Sequence, residues 1–187
     1  MNFRPAPVAG AFVVEVERRD DERGYFARTW CRDEFAAAGI DLAAAQASVS
    51  HSRLAGTLRG LHYARAPARE AKLVRCERGA VFDVIVDLRA GSPTFLRHFC
   101  VVLDAETGDA LYVPPGVAHG FQTLVAESQV LYLMSEAYRP ELAAGVRFDD
   151  PAFGIAWPRP VRVIAERDRC YPDFDAKTHG LRAEPQL

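Results

Sequence analysis

The chain has 187 residues, 49% of them hydrophobic and 26% charged, with a formal charge of -2 at pH 7. That length and apolar content support one domain with a full hydrophobic core and exclude a disordered chain. The balanced charge excludes a global basic field for nucleic acid or an anionic membrane, so a polyanionic ligand would need a local cluster of Arg, Lys and His.

Met1–Gly10 lacks the charged start and apolar run of a signal peptide. No stretch approaches the ~20 apolar residues of a membrane span. A soluble, cytoplasmic protein is expected, without membrane or nucleic-acid partners. Ala11–Glu17 alternates around valines and predicts the first strand. Arg32–Ala38 predicts a helix, stopped by Gly39. Ala71–Cys76, Ala80–Leu88, Phe99–Leu103, Ala110–Val113, Gly120–Leu124 and Gln129–Met134 are strand-like, with Gly, Pro and Asp between them about every ten residues. From Tyr138 onward, Pro and Asp punctuation predicts a segment packed over the strands. No GxGxxG follows a strand, no GxxxxGK[ST] occurs and no βαβ alternation appears, which excludes Rossmann and P-loop folds. The pattern predicts an all-β sandwich or barrel, one domain over 1–187 with its core at about 12–172. The four cysteines, Cys31, Cys76, Cys100 and Cys170, match neither CxxC nor zinc spacing and read as buried free thiols.

Five segments carry side chains able to do chemistry. If Thr57–Tyr63 is a strand, Arg59 and His62 differ in parity, and a bulge at Gly60 would bring both towards one cavity. The plainer alternative is a surface Arg and a structurally bonded His. In Glu70-Ala71-Lys72-Leu73-Val74-Arg75, Lys72 shares a face with Val74. An inward lysine is costly unless it is paired or meets an anionic ligand, and a solvated lysine is commoner. Tyr112-Val113-Pro114-Pro115-Gly116-Val117-Ala118-His119-Gly120-Phe121 holds the Pro-x-Gly-x-x-His signature of cupin barrels, whose histidine points inward. That histidine is usually a metal ligand beside a His-x-His pair and a Glu. Here Tyr63 and Ala64 follow His62, and His51, His98 and His179 lie at no ligand spacing. A catalytic transition metal usually takes three protein ligands, so neither metal nor cofactor is expected. In Gln129–Met134, Tyr132 shares a face with Val130 and Met134, either as a core tyrosine or as a proton donor reaching the cavity. Glu166-Arg167-Asp168-Arg169, taken alone, is a solvated charge run.

Together these segments resemble the dTDP-4-dehydrorhamnose 3,5-epimerase family. The residues that carry the resemblance are Asp21-Glu22-Arg23-Gly24-Tyr25-Phe26, Gly56–Tyr63, Ala71–Arg75, Val81–Arg89, Gly91–Thr94, Pro115–Phe121 and Asp149-Asp150-Pro151, spanning roughly Phe12 to Pro172. The resemblance implies a cupin-type jelly-roll barrel with few helices, dimerising with N-terminal strands exchanged between subunits. It implies a nucleoside-diphosphate 4-keto-6-deoxyhexose substrate and a place in deoxysugar and surface-polysaccharide (lipopolysaccharide) biosynthesis. It also supplies roles: His62 as general base with Asp168 as its dyad partner, Tyr132 as the acid on the opposite face, and Lys72 at the C4 oxygen. Arg59, His119, Arg23 and Arg167 match positions on the substrate or its diphosphate. Phe26, Arg28, Gln46 and Ser48 fall where the nucleotide is expected. Arg28 stands where many members carry Glu, Gln46-Ala47-Ser48 replaces Gln-Asp-Asn, and Ala64 replaces a Gln, so a CDP-linked sugar stands beside a dTDP-linked one.

The implied chemistry needs these residue types. Hydrogens at C3 and C5 flank a C4 ketone, and removing either gives an enolate. An imidazole with pKa near ~6.5 suits proton removal at neutral pH. A carboxylate behind it fixes the tautomer, an ammonium meets the charge on the C4 oxygen, and a second group returns the proton from the other face. Arg suits diphosphate oxygens. The rivals are an epimerase inverting C3 only, a metal-dependent cupin enzyme, and a non-catalytic sugar-binding cupin, which would be expected to lose His62 or Tyr132.

Overall fold

The computed structural model describes residues 1–177 and 179; the remainder of the expected 1–187 span lies outside the described residues. In chain order the elements are β1 (Asn2–Pro5), β2 (Phe12–Glu15), β3 (Arg18–Asp21), β4 (Gly24–Ala27), α1 (Arg32–Ala37), β5 (Gln46–Ser52), β6 (Thr57–Ala64) and β7 (Lys72–Arg78). They continue with β8 (Ala80–Asp87), β9 (His98–Asp104), β10 (Ala110–Val113), β11 (Val117–Thr123), β12 (Ser128–Met134), β13 (Ala143–Gly145), β14 (Val163–Ile164) and α2 (Glu166–Arg169).

Two sheets face each other in a jelly roll. One runs β1-β2-β10-β7-β12-β5; the other runs β13-β6-β11-β8-β9, with β14 beside β6. Every pairing is antiparallel except β14 with β6. The inward faces of β7, β8, β11 and β12 supply the central core, which includes Val74, Val81, Ile85, Phe121 and Val130. Each such side chain contributes about 1.5–3 kcal/mol when taken from water.

The outer faces are covered too. On the first sheet, Leu73, Ala110 and Tyr112 pack against Phe35 and Ile40 of α1 and its exit. That helix ends as its sequence predicts: Gly39 adopts φ +75°, Gly39 N–H donates to Ala36 O at 3.0 Å and Ile40 N–H to Phe35 O at 2.9 Å, closing the last turn with Phe35 against Ile40. On the second sheet, Leu61, Tyr63, Val84 and Val86 are covered by Val146, Phe153, Ile155, Trp157 and Phe174. The expected C-terminal covering layer is thus present, and it delivers α2 to β6. No helix among the described residues is long and apolar enough to cross a membrane.

Some boundaries differ from the sequence reading. The strand expected at Gly120–Leu124 begins at Val117, because the Pro-Pro-Gly turn is shorter than the break in apolar pattern suggested. β1, β3, β4 and β5 were not anticipated. All four cysteines are free, but Cys76 alone is buried and Cys170 is exposed, which corrects the expectation of four buried thiols.

Candidate active site

A bulge brings His62 inward. The β6–β11 register sets His62 against His119 and Arg59 against Phe121, so β6 carries one residue more than its partner between those pairs. The extra residue returns both Arg59 and His62 to the interior face. Gly60 makes it possible: it holds φ +117°, and a Cβ there would lie 2.6 Å from Gly120 Cα and 2.8 Å from His119 O. Two facing glycines let the strands close where side chains could not.

Asp168 secures this arrangement from α2. Its Oδ1 accepts from His62 Nε2 at 2.8 Å and its Oδ2 from the Gly60 N–H at 3.0 Å. The carboxylate is 3% exposed and the imidazole 36%, so the imidazole is open and its partner is not. Burial by itself would raise the Asp168 pKa. The hydrogen bond and charge of His62, the Gly60 N–H and the Arg167 charge outweigh burial and hold it below the usual carboxylate value. An ionised Asp168 only accepts, so Nε2 carries the proton and Nδ1 keeps a free lone pair. Arg167 approaches the same dyad, with Nη2 3.4 Å from His62 Nε2.

A cavity opens on the imidazole, its wall including His62, Glu70, Lys72, Tyr138, Arg167 and Tyr171. Lys72 heads β7 opposite Met134, inward like Val74. Its ammonium is bonded to the Glu70 carboxylate. Tyr132 and His119 are not among the residues that line this wall; His119 is buried and Tyr132 half-buried. Tyr132 is paired with Val74 across β12 and β7, and its ring meets His119 edge-on with centroids 5.8 Å apart. His119 Nε2 is 2.9 Å from each oxygen of the fully buried Asp83. Burial raises the Tyr132 pKa, and the Asp83 charge adds to it against Arg59, so the phenol stays protonated at neutral pH. Burial also raises Asp83, opposed by His119.

Arg59 shares the inner face but not the cavity. Its Nη2 donates to His51 O at 2.9 Å and its Nε to Ser52 Oγ at 3.2 Å, beside a separate open groove. Gln46 and Ser48 lie on the half-buried face of β5, with Ser48 opposite Tyr132. Gln46 donates to Ser48 Oγ at 3.2 Å and accepts from the Tyr138 N–H at 2.9 Å. Arg23, Phe26 and Arg28 do not line the cavity in the single chain. Arg23 pairs with Asp21 at 2.6 Å, Phe26 is 69% exposed, and Arg28 pairs with Glu34 at 2.6 Å.

Glu70, Asp83, Tyr138 and Tyr171 of this neighbourhood went unassigned in the sequence. Glu70 precedes Lys72 by two and so shares its face, a parity signal that was available. Asp83 is an acid set among apolar residues in the middle of β8, on the face of Val81 and Ile85, and could have been flagged likewise. Tyr171 carries no local signal. Among the described residues, no group of three or more His, Cys, Asp or Glu is arranged to hold a metal ion.

A family model described as dTDP-4-dehydrorhamnose 3,5-epimerase matches residues 5–176. The dTDP-4-dehydrorhamnose 3,5-epimerase of Sinorhizobium fredii is 39% identical over 175 residues, covering 93% of this chain and 90% of its own. The dTDP-4-dehydrorhamnose 3-epimerase of Streptomyces niveus is 40% identical over 170 residues, covering 90% and 82%. Among solved structures, the dTDP-6-deoxy-D-glucose-3,5-epimerase of Legionella pneumophila, in complex with dTDP-4-keto-L-rhamnose, superposes with a TM-score of 0.90 at 32% identity, covering 98% of both chains.

Proposed function

The chain belongs to the dTDP-4-dehydrorhamnose 3,5-epimerase family, and on that footing we propose that it inverts C3 and C5 of a dTDP-linked 4-keto-6-deoxyhexose by removing and returning protons beside the C4 ketone. The observation that carries this reading is the half-open His62, bonded at 2.8 Å to the buried Asp168 and sharing a cavity with Lys72. His62 Nδ1 takes the proton. Asp168 holds the ring and offsets the imidazolium charge that forms. The Lys72 ammonium meets the charge that develops on the C4 oxygen, in a site with little water to screen it.

Inversion needs a proton from the far face. Tyr132 fills that role: its raised pKa keeps it protonated, and His119 fixes its ring from the side. Arg167 and Arg59 receive the diphosphate, and Gln46 and Ser48 the nucleotide. The whole chain works as one domain, in the cytoplasm, within a homodimer. There the β3–β4 hairpin, whose Tyr25 and Phe26 are 50% and 69% exposed, carries Arg23, Phe26 and Arg28 to the neighbouring subunit's site. A second reading, inversion at C3 alone, is favoured by the 40% identity to a relative named a 3-epimerase; the product's NMR spectrum separates the two.

The test is incubation with dTDP-4-keto-6-deoxyglucose in deuterated water. His62→Ala is expected to abolish exchange at both carbons, and wild-type exchange in that variant would remove His62 as the base. Tyr132→Phe is expected to keep exchange at C3 or C5 largely intact while inversion falls; unchanged inversion would remove Tyr132 as the acid.

A further inference from the structure

We propose that Glu70 is a positioning residue that holds the Lys72 ammonium at its working place on the cavity wall, an inference that rests on the reading of Lys72 given above. Glu70 and Lys72 are bonded to each other, with side chains 12% and 11% exposed. A pair so enclosed differs from the usual surface ion pair, which water and salt loosen. Neither partner can turn to solvent without leaving the other charge stranded.

The backbone around Glu70 is itself fixed. On one side, Arg69 N–H donates to Glu136 Oε1 at 2.6 Å, and Arg139 holds the other oxygen of that carboxylate at 2.6 Å. On the other side, Ala71 N–H donates to Ser135 Oγ at 2.8 Å, and Ser135 N–H returns a bond to Ala71 O at 3.0 Å. Glu136, the other acid on the wall, is thereby engaged with Arg69 and Arg139. Glu70 is the acid left to face Lys72, and it is presented on a segment clamped at both flanks.

The consequence is chemical. A lysine on a flexible four-carbon stem beside Arg167 would sample many positions. One tied to a fixed carboxylate offers its remaining N–H donors in one direction, so no rearrangement is needed when charge appears on the ketone oxygen. Glu70 acts through Lys72 and does not touch the substrate.

The experiment measures solvent-deuterium exchange kinetics for wild type, Glu70→Ala, Glu70→Gln, Lys72→Ala and the Glu70→Ala/Lys72→Ala pair. Glu70→Ala is expected to lower kcat about tenfold while KM stays within about twofold, since the loss falls on transition-state alignment. Glu70→Gln, whose amide oxygen still accepts from the ammonium, is expected within about threefold of wild type. The double variant is expected to match Lys72→Ala, because residues acting through one another are not additive. Wild-type kcat in Glu70→Ala, or losses that add in the double variant, would overturn the proposal. Should Glu70→Ala not fold, Glu70→Asp replaces it: one methylene too short, it is expected to show the same fall in kcat, and wild-type kcat there would overturn the proposal equally. A wild-type protein that exchanges neither hydrogen overturns the proposed function instead.

Discussion

Asp168 bonds two groups at once: the imidazole of His62 and the backbone N–H of Gly60. Its folded pKa lies below the ordinary value, with burial outweighed by those partners and Arg167. A carboxylate depressed in this way adds stability above its unfolded pKa of about 3.9, and that share is lost as pH falls through the folded value. Asp168→Asn is expected to cost about 1–3 kcal/mol near neutral pH through its weakened charged hydrogen bonds. The gap from wild type should close as pH falls below about 4. Urea unfolding at several pH values measures it, and a gap that widens in acid would contradict the assignment. Nothing local in Glu166-Arg167-Asp168-Arg169 betrays this role, because His62 and Asp168 are 106 residues apart. The resemblance to a family supplied it.

At the scale of elements, the bulge on β6 is the most demanding. A methyl at Gly60 would meet Gly120 Cα at 2.6 Å and would also sit on a backbone of φ +117°. Gly60→Ala is therefore expected to cost about 3 kcal/mol or more in thermal or chemical unfolding. Gly39→Ala, which meets nothing within 4 Å, is expected to cost only about 1 kcal/mol. Equal costs would mean that the strand contact does not bear on the fold. The strands legible in the sequence were those with an apolar inner face, such as β8 and β12. β5 was missed for a physical reason: its inner residues are Gln46, Ser48, Ser50 and Ser52, so no apolar alternation marks its half-buried face. The β3–β4 hairpin was missed because nearly all of it is exposed, so no buried face imprints a period on Arg18–Ala27. Within the site, Gly60 and His62 could be read from parity, whereas the absence of Tyr132 from the cavity wall could not.

For the whole molecule, β5 leaves an open sheet edge with Val49 56% exposed on its outer side, and the β3–β4 hairpin leaves Phe26 bare. Unpaired edges and bare aromatics of this kind are usually covered by a second chain. If the hairpin serves the neighbour's site, two inactive variants should rescue each other. Mixing Phe26→Ala with His62→Ala after subunit exchange is expected to restore about a quarter of wild-type sites, since half of the dimers are mixed and each holds one intact site. Assay of the mixture checks this, and no recovery would confine each site to a single chain. The link between His62 and Asp168 also sets a sequence of events. Synthesis proceeds from the N-terminus, and the histidine leaves the ribosome long before its carboxylate partner. An unfinished chain can thus carry most of the barrel and still lack the carboxylate that orients His62.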